Sequence, residues 1–270
     1  MLQPLPQPSK IQRVKAQSAG PLAPLALVQL ALVGCIAPRP SAIELREEEA
    51  VVLKTVNLVT QTPYYAAFAH HAWFDIRRDG AEDWVRLEVI YDLVAREIDE
   101  AKALADSRWG MPVRVLASWH GEEAAHAIPA LLAAAKLQVD PTDTESRSVL
   151  TGPAEDESTP TGIGWQRHQW RLDYEAWPGP NSNTFIALLL DELPELSSEL
   201  DHNGVGKDWV EGVRVGRTAG GLGVEVDATY LGAAAGLRQG LELHLIGLTA
   251  GVTLWPPALK VPFLPRIGRG

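Results

Sequence analysis

The chain has 270 residues, enough for one large domain or one domain with an appended subdomain, and 46% of them are hydrophobic, so a sizeable core is within reach. The formal net charge is −10 at neutral pH, and no basic stripe of the kind that binds phosphate backbones is visible, which argues against a nucleic-acid partner. The single cysteine, Cys35, excludes an intrachain disulfide framework and a cysteine metal site, and no cofactor motif accompanies it. Nine Trp against four Phe put weight on a side chain that favours half-wet interfaces and clefts.

The amino terminus is basic and free of acids, with Lys10, Arg13 and Lys15, and an apolar run follows from Leu25 to Ala37. That run is too short for a hydrocarbon core of about 30 Å, which needs roughly twenty residues; it matches the apolar region of a secretory signal. It closes on Leu32-Val33-Gly34-Cys35, which resembles the bacterial lipobox. The resemblance implies a signal over residues 1–34, cleavage before Cys35 and lipidation of its thiol. Residues 35–57 would then form a tether and the approach to the domain. A membrane anchored through that lipid would be the first partner, and the cell envelope, facing periplasm or exterior, the location. An ordinary signal and a plain buried segment are the competing readings.

From Tyr65 to Arg78 the chain alternates as a strand, with His71, Trp73 and Asp75 on one face and Ala72, Phe74 and Ile76 on the other. Arg78-Asp79-Gly80 supplies a turn, and Trp84–Tyr91 alternates again, Val85, Leu87 and Val89 opposite Trp84, Arg86 and Glu88, so the two runs predict a β-hairpin. Leu93–Asp106, acidic and Ala-rich, reads as helical; Val113–Trp119 is a third strand; Glu122–Lys136 is a helix with Ala125, Ile128, Leu131 and Leu132 on its apolar side. Val139–Gly162 has the composition of a disordered acidic insertion. Asp140, Asp143 and Glu145 lack the glycine and spacing of a calcium loop. A helix from Ser182 to Leu193, apolar almost all round, is predicted to be buried and to stop at Pro194. From Gly212 onward, short alternating runs such as Leu241–Leu245 and frequent glycines predict a Gly-rich β tail over residues 212–270, packed on a core domain of residues 58–211.

The chemistry converges on Trp177-Pro178-Gly179-Pro180-Asn181-Ser182-Asn183-Thr184-Phe185, a rigid turn running into a buried helix. Ser and Asn are favoured N-cap residues, and a cap is the plainest account of the segment. The same geometry suits a nucleophile, because a helix start offers unpaired N–H donors and a positive dipole end. His71, on the strand face opposite Phe74 and Ile76, is the candidate base.

WPGPNSNTF, with Gly204-Val-Gly-Lys-Asp-Trp209 downstream and His71-Ala-Trp-Phe74 upstream, resembles the bacterial domain of unknown function 3750 family, from about Phe68 to the carboxyl end. The family implies no activity. More distantly, Asn181-Ser182-Asn183-Thr184-Phe185 is similar to the Asn-Cys-Asn-x-Phe pattern of circularly permuted papain-like proteins, NlpC/P60-like and PPPDE-like, with Ser182 in place of the cysteine. That resemblance implies an α+β fold in a permuted papain-like arrangement: a small, mainly antiparallel sheet with packed helices. It also implies Ser182 as nucleophile, His71 as base with Glu88 or Asp75 to orient it, and Asn181, Asn183, Trp177, Trp73, Lys207 and Asp208 around a binding cleft. A serine hydrolase or acyltransferase acting on an envelope amide or ester, a non-catalytic module binding an envelope polymer or small molecule, and a degenerate site all remain open.

Lesser motifs have simpler accounts. Glu123-x-x-His126 is half of a di-iron pattern whose other half is missing, so no metal is expected. Gly204-Val-Gly-Lys207 lacks the spacing of a phosphate loop and reads as a turn fixed by glycines.

Overall fold

The computed structural model describes residues 49–59, 67–78, 84–90, 93–137, 173–218 and 222–268. Cys35 with its apolar run, the acidic stretch 139–162, and Trp165 and His168 lie outside the described residues.

Two antiparallel sheets and few helices make a mixed α+β architecture. The first sheet holds six strands: β1 (Ala50–Asn57), β2 (His70–Arg77), β3 (Trp84–Ile90), β4 (Leu93–Ile98), β5 (Ser107–Arg108) and β6 (Met111–His120), ordered β4-β3-β2-β1-β6-β5. The hairpin expected from alternation is there, with Phe74 opposite Leu87 and Ile76 opposite Val85. Two expectations need correction. The sequence predicts a tether and the approach to the domain up to Asn57, yet Ala50–Asn57 is a central strand, paired with β2 and β6 and buried at every position. Its run of Val, Leu and Thr is buried on both faces, so no polar alternation announces it. Leu93–Asp106 is not one helix. Leu93–Ile98 pairs with β3, and only a single turn, α1 (Glu100–Ala103), follows, capped by Asp99; neighbouring strands override a weak helical propensity.

One face of this sheet carries Val51, Leu53, Phe74, Ile76, Val85 and Leu87 into the main core. Helix α2 (Glu122–Leu137) lays Ala124, Ala127, Ile128, Leu131, Ala134 and Ala135 on it, with Ala125 and Leu132 at the margin of the stripe. Helix α3 (Ser182–Glu192) adds Phe185, Ile186 and Leu189, each fully buried, which contributes roughly 1.5–3 kcal/mol per side chain. A 3-10 turn at Pro194–Leu196 follows the helix.

The second sheet is a seven-stranded meander: β7 (Val213–Arg217), β8 (Gly223–Ala228), β9 (Leu231–Gly236), β10 (Gly240–Leu245), β11 (Leu248–Leu254), β12 (Pro257–Lys260) and β13 (Ile267–Gly268). Its alternation is turned inside out. Glu225, Asp227, Glu242, His244, Thr249 and Lys260 are buried, whereas Val215, Val226, Leu241, Leu243 and Leu254 are exposed. The buried polar side meets the chain that follows α3: Thr249 Oγ1 donates to Asp208 Oδ2 at 2.7 Å, the Gly206 N–H to the Gly247 carbonyl at 3.1 Å, and Asn203 Nδ2 to the Leu264 carbonyl at 2.8 Å.

Candidate active site

The three residues at the start of α3 divide the labour. Asn181, extended at φ −143° and ψ −167°, is the N-cap; its side chain accepts from the Asn183 and Thr184 N–H groups, and Thr184 Oγ1 accepts the Asn181 N–H in return. Its carbonyl takes the Phe185 N–H. Because Asn181 does the capping, Ser182 occupies the first helical position with its hydroxyl uncommitted to the helix, and its backbone N–H is the one first-turn donor that the cap leaves over.

Asn183 fastens this helix start to the strand that carries His71. Its Oδ1 accepts the Ala72 N–H at 3.0 Å, and its Nδ2 donates to the His70 carbonyl at 2.7 Å and the Val205 carbonyl at 3.0 Å. The amide thus grips the backbone on both sides of His71. The turn Gly204–Lys207 completes the seat, since the Gly206 carbonyl accepts from Thr184 Oγ1 at 2.7 Å. Gly206 has φ +82°, and a Cβ there would lie 2.4 Å from Asn181 Nδ2, so the close approach requires glycine.

These constraints bring Ser182 Oγ to 2.9 Å from His71 Nδ1, while His71 Nε2 lies 2.8 Å from Glu88 Oε2. All three side chains are buried. The carboxylate accepts from Nε2–H, which leaves Nδ1 as the acceptor for the serine hydroxyl proton. In the serine-protease template the two ring nitrogens have the opposite roles. Glu88 also receives Arg108, Nη1 to Oε2 at 2.8 Å and Nη2 to Oε1 at 3.0 Å, and Arg96 Nη2 to Oε1 at 2.6 Å. Burial opposes its ionisation, but the hydrogen bonds from His71 and Arg108, together with the Arg108 charge, outweigh that and hold the carboxyl well below its ordinary range. His71 is lowered from its ordinary value, chiefly by burial, with Glu88 pulling the other way and Arg108 and Arg86 adding to the depression. The imidazole is therefore neutral near pH 7, as a general base must be.

Asp75, the alternative orienting acid, points elsewhere. It pairs with Lys54 Nζ at 2.9 Å and with Arg86 Nε at 2.6 Å, and accepts from Trp73 Nε1 at 3.1 Å. A cleft of about 790 Å³ opens over the serine and histidine, walled by Trp73, Trp109, Arg86, Arg96, Arg108 and Tyr174. Trp73 stacks on the His71 ring at 5.9 Å between centroids and Trp109 tilts against it at 5.5 Å. Among the described residues, no group of three or more His, Cys, Asp or Glu side chains converges to hold a metal ion.

Of the other residues expected in this cleft, Trp73 lines it, whereas Asn181 and Asn183 do not: they cap the helix start and fasten it to the His71 strand. Trp177 packs edge-on against Phe68 at 6.3 Å, outside the cleft. Lys207 and Asp208 do not reach it. They pair with each other and join Glu242 and Thr249 of the second sheet, because the Gly206 turn sends the chain away from Ser182. Arg96, Arg108 and Trp109 line the cleft without any motif in the sequence that marks them. The available signal was an Arg on the same strand-face periodicity as Glu88, and an Arg-Trp pair before Gly110, a glycine at φ +75°.

The fold and this geometry define a class: an α+β protein with a buried Ser–His–Glu constellation at a helix start, beneath a cation-lined cleft. The family model described as "Protein of unknown function (DUF3750)" matches residues 150–209. That stretch holds the cap, Ser182, Asn183 and the Gly206 turn, while His71 and Glu88 precede it. No curated protein and no solved structure matches the chain.

Proposed function

We propose that the protein is a serine-dependent hydrolase or acyltransferase acting on an amide or ester, with Ser182 as nucleophile, His71 as general base and Glu88 as the acid that orients and steadies the imidazole. The observation that carries this reading is the chain of contacts Ser182 Oγ to His71 Nδ1 at 2.9 Å and His71 Nε2 to Glu88 Oε2 at 2.8 Å. Both lie within the reach a proton transfer needs. His71 takes the hydroxyl proton on Nδ1 as Oγ bonds to the substrate carbonyl carbon. The Ser182 N–H, at the positive end of α3, faces the oxyanion that develops. The Nδ1 proton then passes to the leaving amine or alcohol, and water or an acceptor alcohol or amine, deprotonated by the same nitrogen, releases the acyl group.

The order of the residues supports the permuted papain-like reading: a histidine on an early strand, and the nucleophile opening a later helix within Asn-Ser-Asn-x-Phe. The site of action is the bacterial envelope in this proposal. Support for that comes from the Leu25–Ala37 run and Leu32-Val33-Gly34-Cys35. Cys35→Ser is expected to release the protein from membranes, and unchanged membrane association would remove the lipid anchor from the reading.

The chemistry is tested with a fluorophosphonate probe and mass mapping of the adduct. Wild type is expected to be labelled at Ser182, Ser182→Ala not at all, and His71→Gln at least about a hundredfold more slowly, in line with general-base contributions of 10²–10⁴. Equal labelling of wild type and Ser182→Ala sinks the proposal.

A further inference from the structure

The cleft over Ser182 is lined by Lys54, Arg86, Arg96, Lys102 and Arg108 and, among the described residues, by no Asp or Glu. This is unexpected in a chain whose formal net charge is −10. Most of those cations are engaged. Lys54 and Arg86 share Asp75, and Lys102 pairs with Asp99 at the surface. Arg108 gives both terminal nitrogens to Glu88 and lies against the rings of Trp73 and Trp109, 4.7 and 4.1 Å from their centroids.

Arg96 is different. It gives one nitrogen to Glu88, and its Nε–H, shielded from water, has no acceptor among the described residues. A shielded donor without an acceptor is costly and rare. The count of charge points the same way. Around the cleft floor, Lys54, Arg86, Arg96 and Arg108 face only two carboxylates, Asp75 and Glu88, among the described residues. Such an excess, focused by low-dielectric walls, attracts an anion and disfavours a cation.

We infer that the acyl substrate carries an anionic group, a carboxylate or a phosphate, which docks on Arg96 while its carbonyl lies at Ser182. This rests on the hydrolase reading for the identity of the ligand as substrate, though the anion site stands on its own geometry. Arg96 is the specificity residue: its side chain is 39% exposed and held to Glu88 by a single nitrogen, so the guanidinium can turn toward a planar or tetrahedral oxyanion and give it the N–H now without an acceptor, while Arg108 keeps Glu88 charged.

The test uses the full chain and isothermal calorimetry at low ionic strength, with succinate and inorganic phosphate as probes and succinamide as the neutral control. At least one of the two anions is expected to bind wild type, more weakly as salt rises, and to lose at least tenfold in affinity in Arg96→Gln; the better of the two names the group. Succinamide is expected not to bind. Arg96→Lys, which keeps the charge and loses the fork, is expected to fall between the two, and its thermal unfolding checks that the fold is intact. No binding of either anion, or equal binding by wild type and a folded Arg96→Gln, overturns the inference. Fluorophosphonate labelling of Ser182, with and without saturating anion, separates the two ideas. Labelling without anion binding sinks the anion site and spares the hydrolase. Anion binding without labelling sinks the hydrolase and leaves a binding cleft.

Discussion

Asn183 is where fold and site depend on one side chain, and replacing it gives a result whose size follows from the structure. The amide makes three hydrogen bonds, to Ala72 N–H, His70 C=O and Val205 C=O, at 3.0, 2.7 and 3.0 Å, the first and third buried and the second part-buried. At a net value of about 1 kcal/mol each, Asn183→Ala is expected to destabilise the protein by about 3 kcal/mol, more if water fails to reach the orphaned backbone groups. For a domain of this size that lowers the melting temperature by roughly 6–12 °C. Asn183→Asp sharpens the point. A carboxylate still accepts from Ala72 N–H but faces two carbonyls it cannot donate to, so this near-isosteric change is expected to cost at least as much as truncation. Urea unfolding of both variants, compared at equal m-value, supplies the measurement. An alanine variant within about 0.5 kcal/mol of wild type, the range of ordinary surface changes, refutes the clamp and with it the argument that α3 is fastened to the His71 strand by this amide.

Two further predictions address the turn behind the site and the buried polar face of the second sheet. Gly206→Ala places a Cβ 2.4 Å from Asn181 Nδ2, whereas Gly212→Ala, at a similar φ of +80°, meets nothing within 4 Å; the first is expected to unfold at lower urea concentration than the second, and equal midpoints would mean the turn does not press on the cap. His244 is buried beside Asp227 at 2.6 Å and Glu242 at 3.2 Å; burial opposes its protonation, but these hydrogen bonds outweigh burial and push it up to about 9. An unfolded histidine titrates near 6.5, so the stabilisation is full below that pH and is lost as pH rises through about 9, at most about 3 kcal/mol. Melting temperatures measured from pH 6 to pH 10 are expected to fall across that window in wild type and less in His244→Gln; parallel curves would rule out the linkage.

What could be read from the chain depended on whether neighbours enforce the pattern locally. The hairpin and its faces were legible because Val85, Leu87 and Val89 are buried against helices while Arg86 and Glu88 alternate with them. The helix beginning at Ser182 was legible from its apolar run and from the Pro beyond it. β1 was not, because a strand buried on both faces has no period to detect. The pairing of Ser182, His71 and Glu88 was within reach of the sequence only as a set of candidates, with Asp75 equally placed by alternation. The choice between the two acids is made by distant partners: Lys54 and Arg86 occupy Asp75, whereas Arg96 and Arg108 turn Glu88 toward His71. Likewise Asn181, Ser182 and Asn183 are all chemically capable of capping. Only the position of Ala72 and His70 across the gap assigns the third of them to the strand and leaves the second exposed to the histidine.

The electrostatics of the site suit a serine better than the cysteine that the Asn-x-Asn-x-Phe pattern would lead one to expect. A cysteine nucleophile draws its reactivity from a thiolate, which an adjacent imidazolium stabilises. That partnership needs a histidine that holds its proton. Here burial lowers His71, and Glu88, which would favour the imidazolium, shares its charge with two arginines. A hydroxyl asks for the reverse. It gains nothing from a standing imidazolium and needs a neutral nitrogen aimed at its proton, with a carboxylate behind the ring to steady the positive charge only while the transition state lasts. The tautomer fixed by Glu88 and the 2.9 Å contact at Nδ1 meet that need. Serine at position 182 is thus consistent with a neutral His71 and an arginine-shared Glu88, in keeping with the nucleophile proposed above.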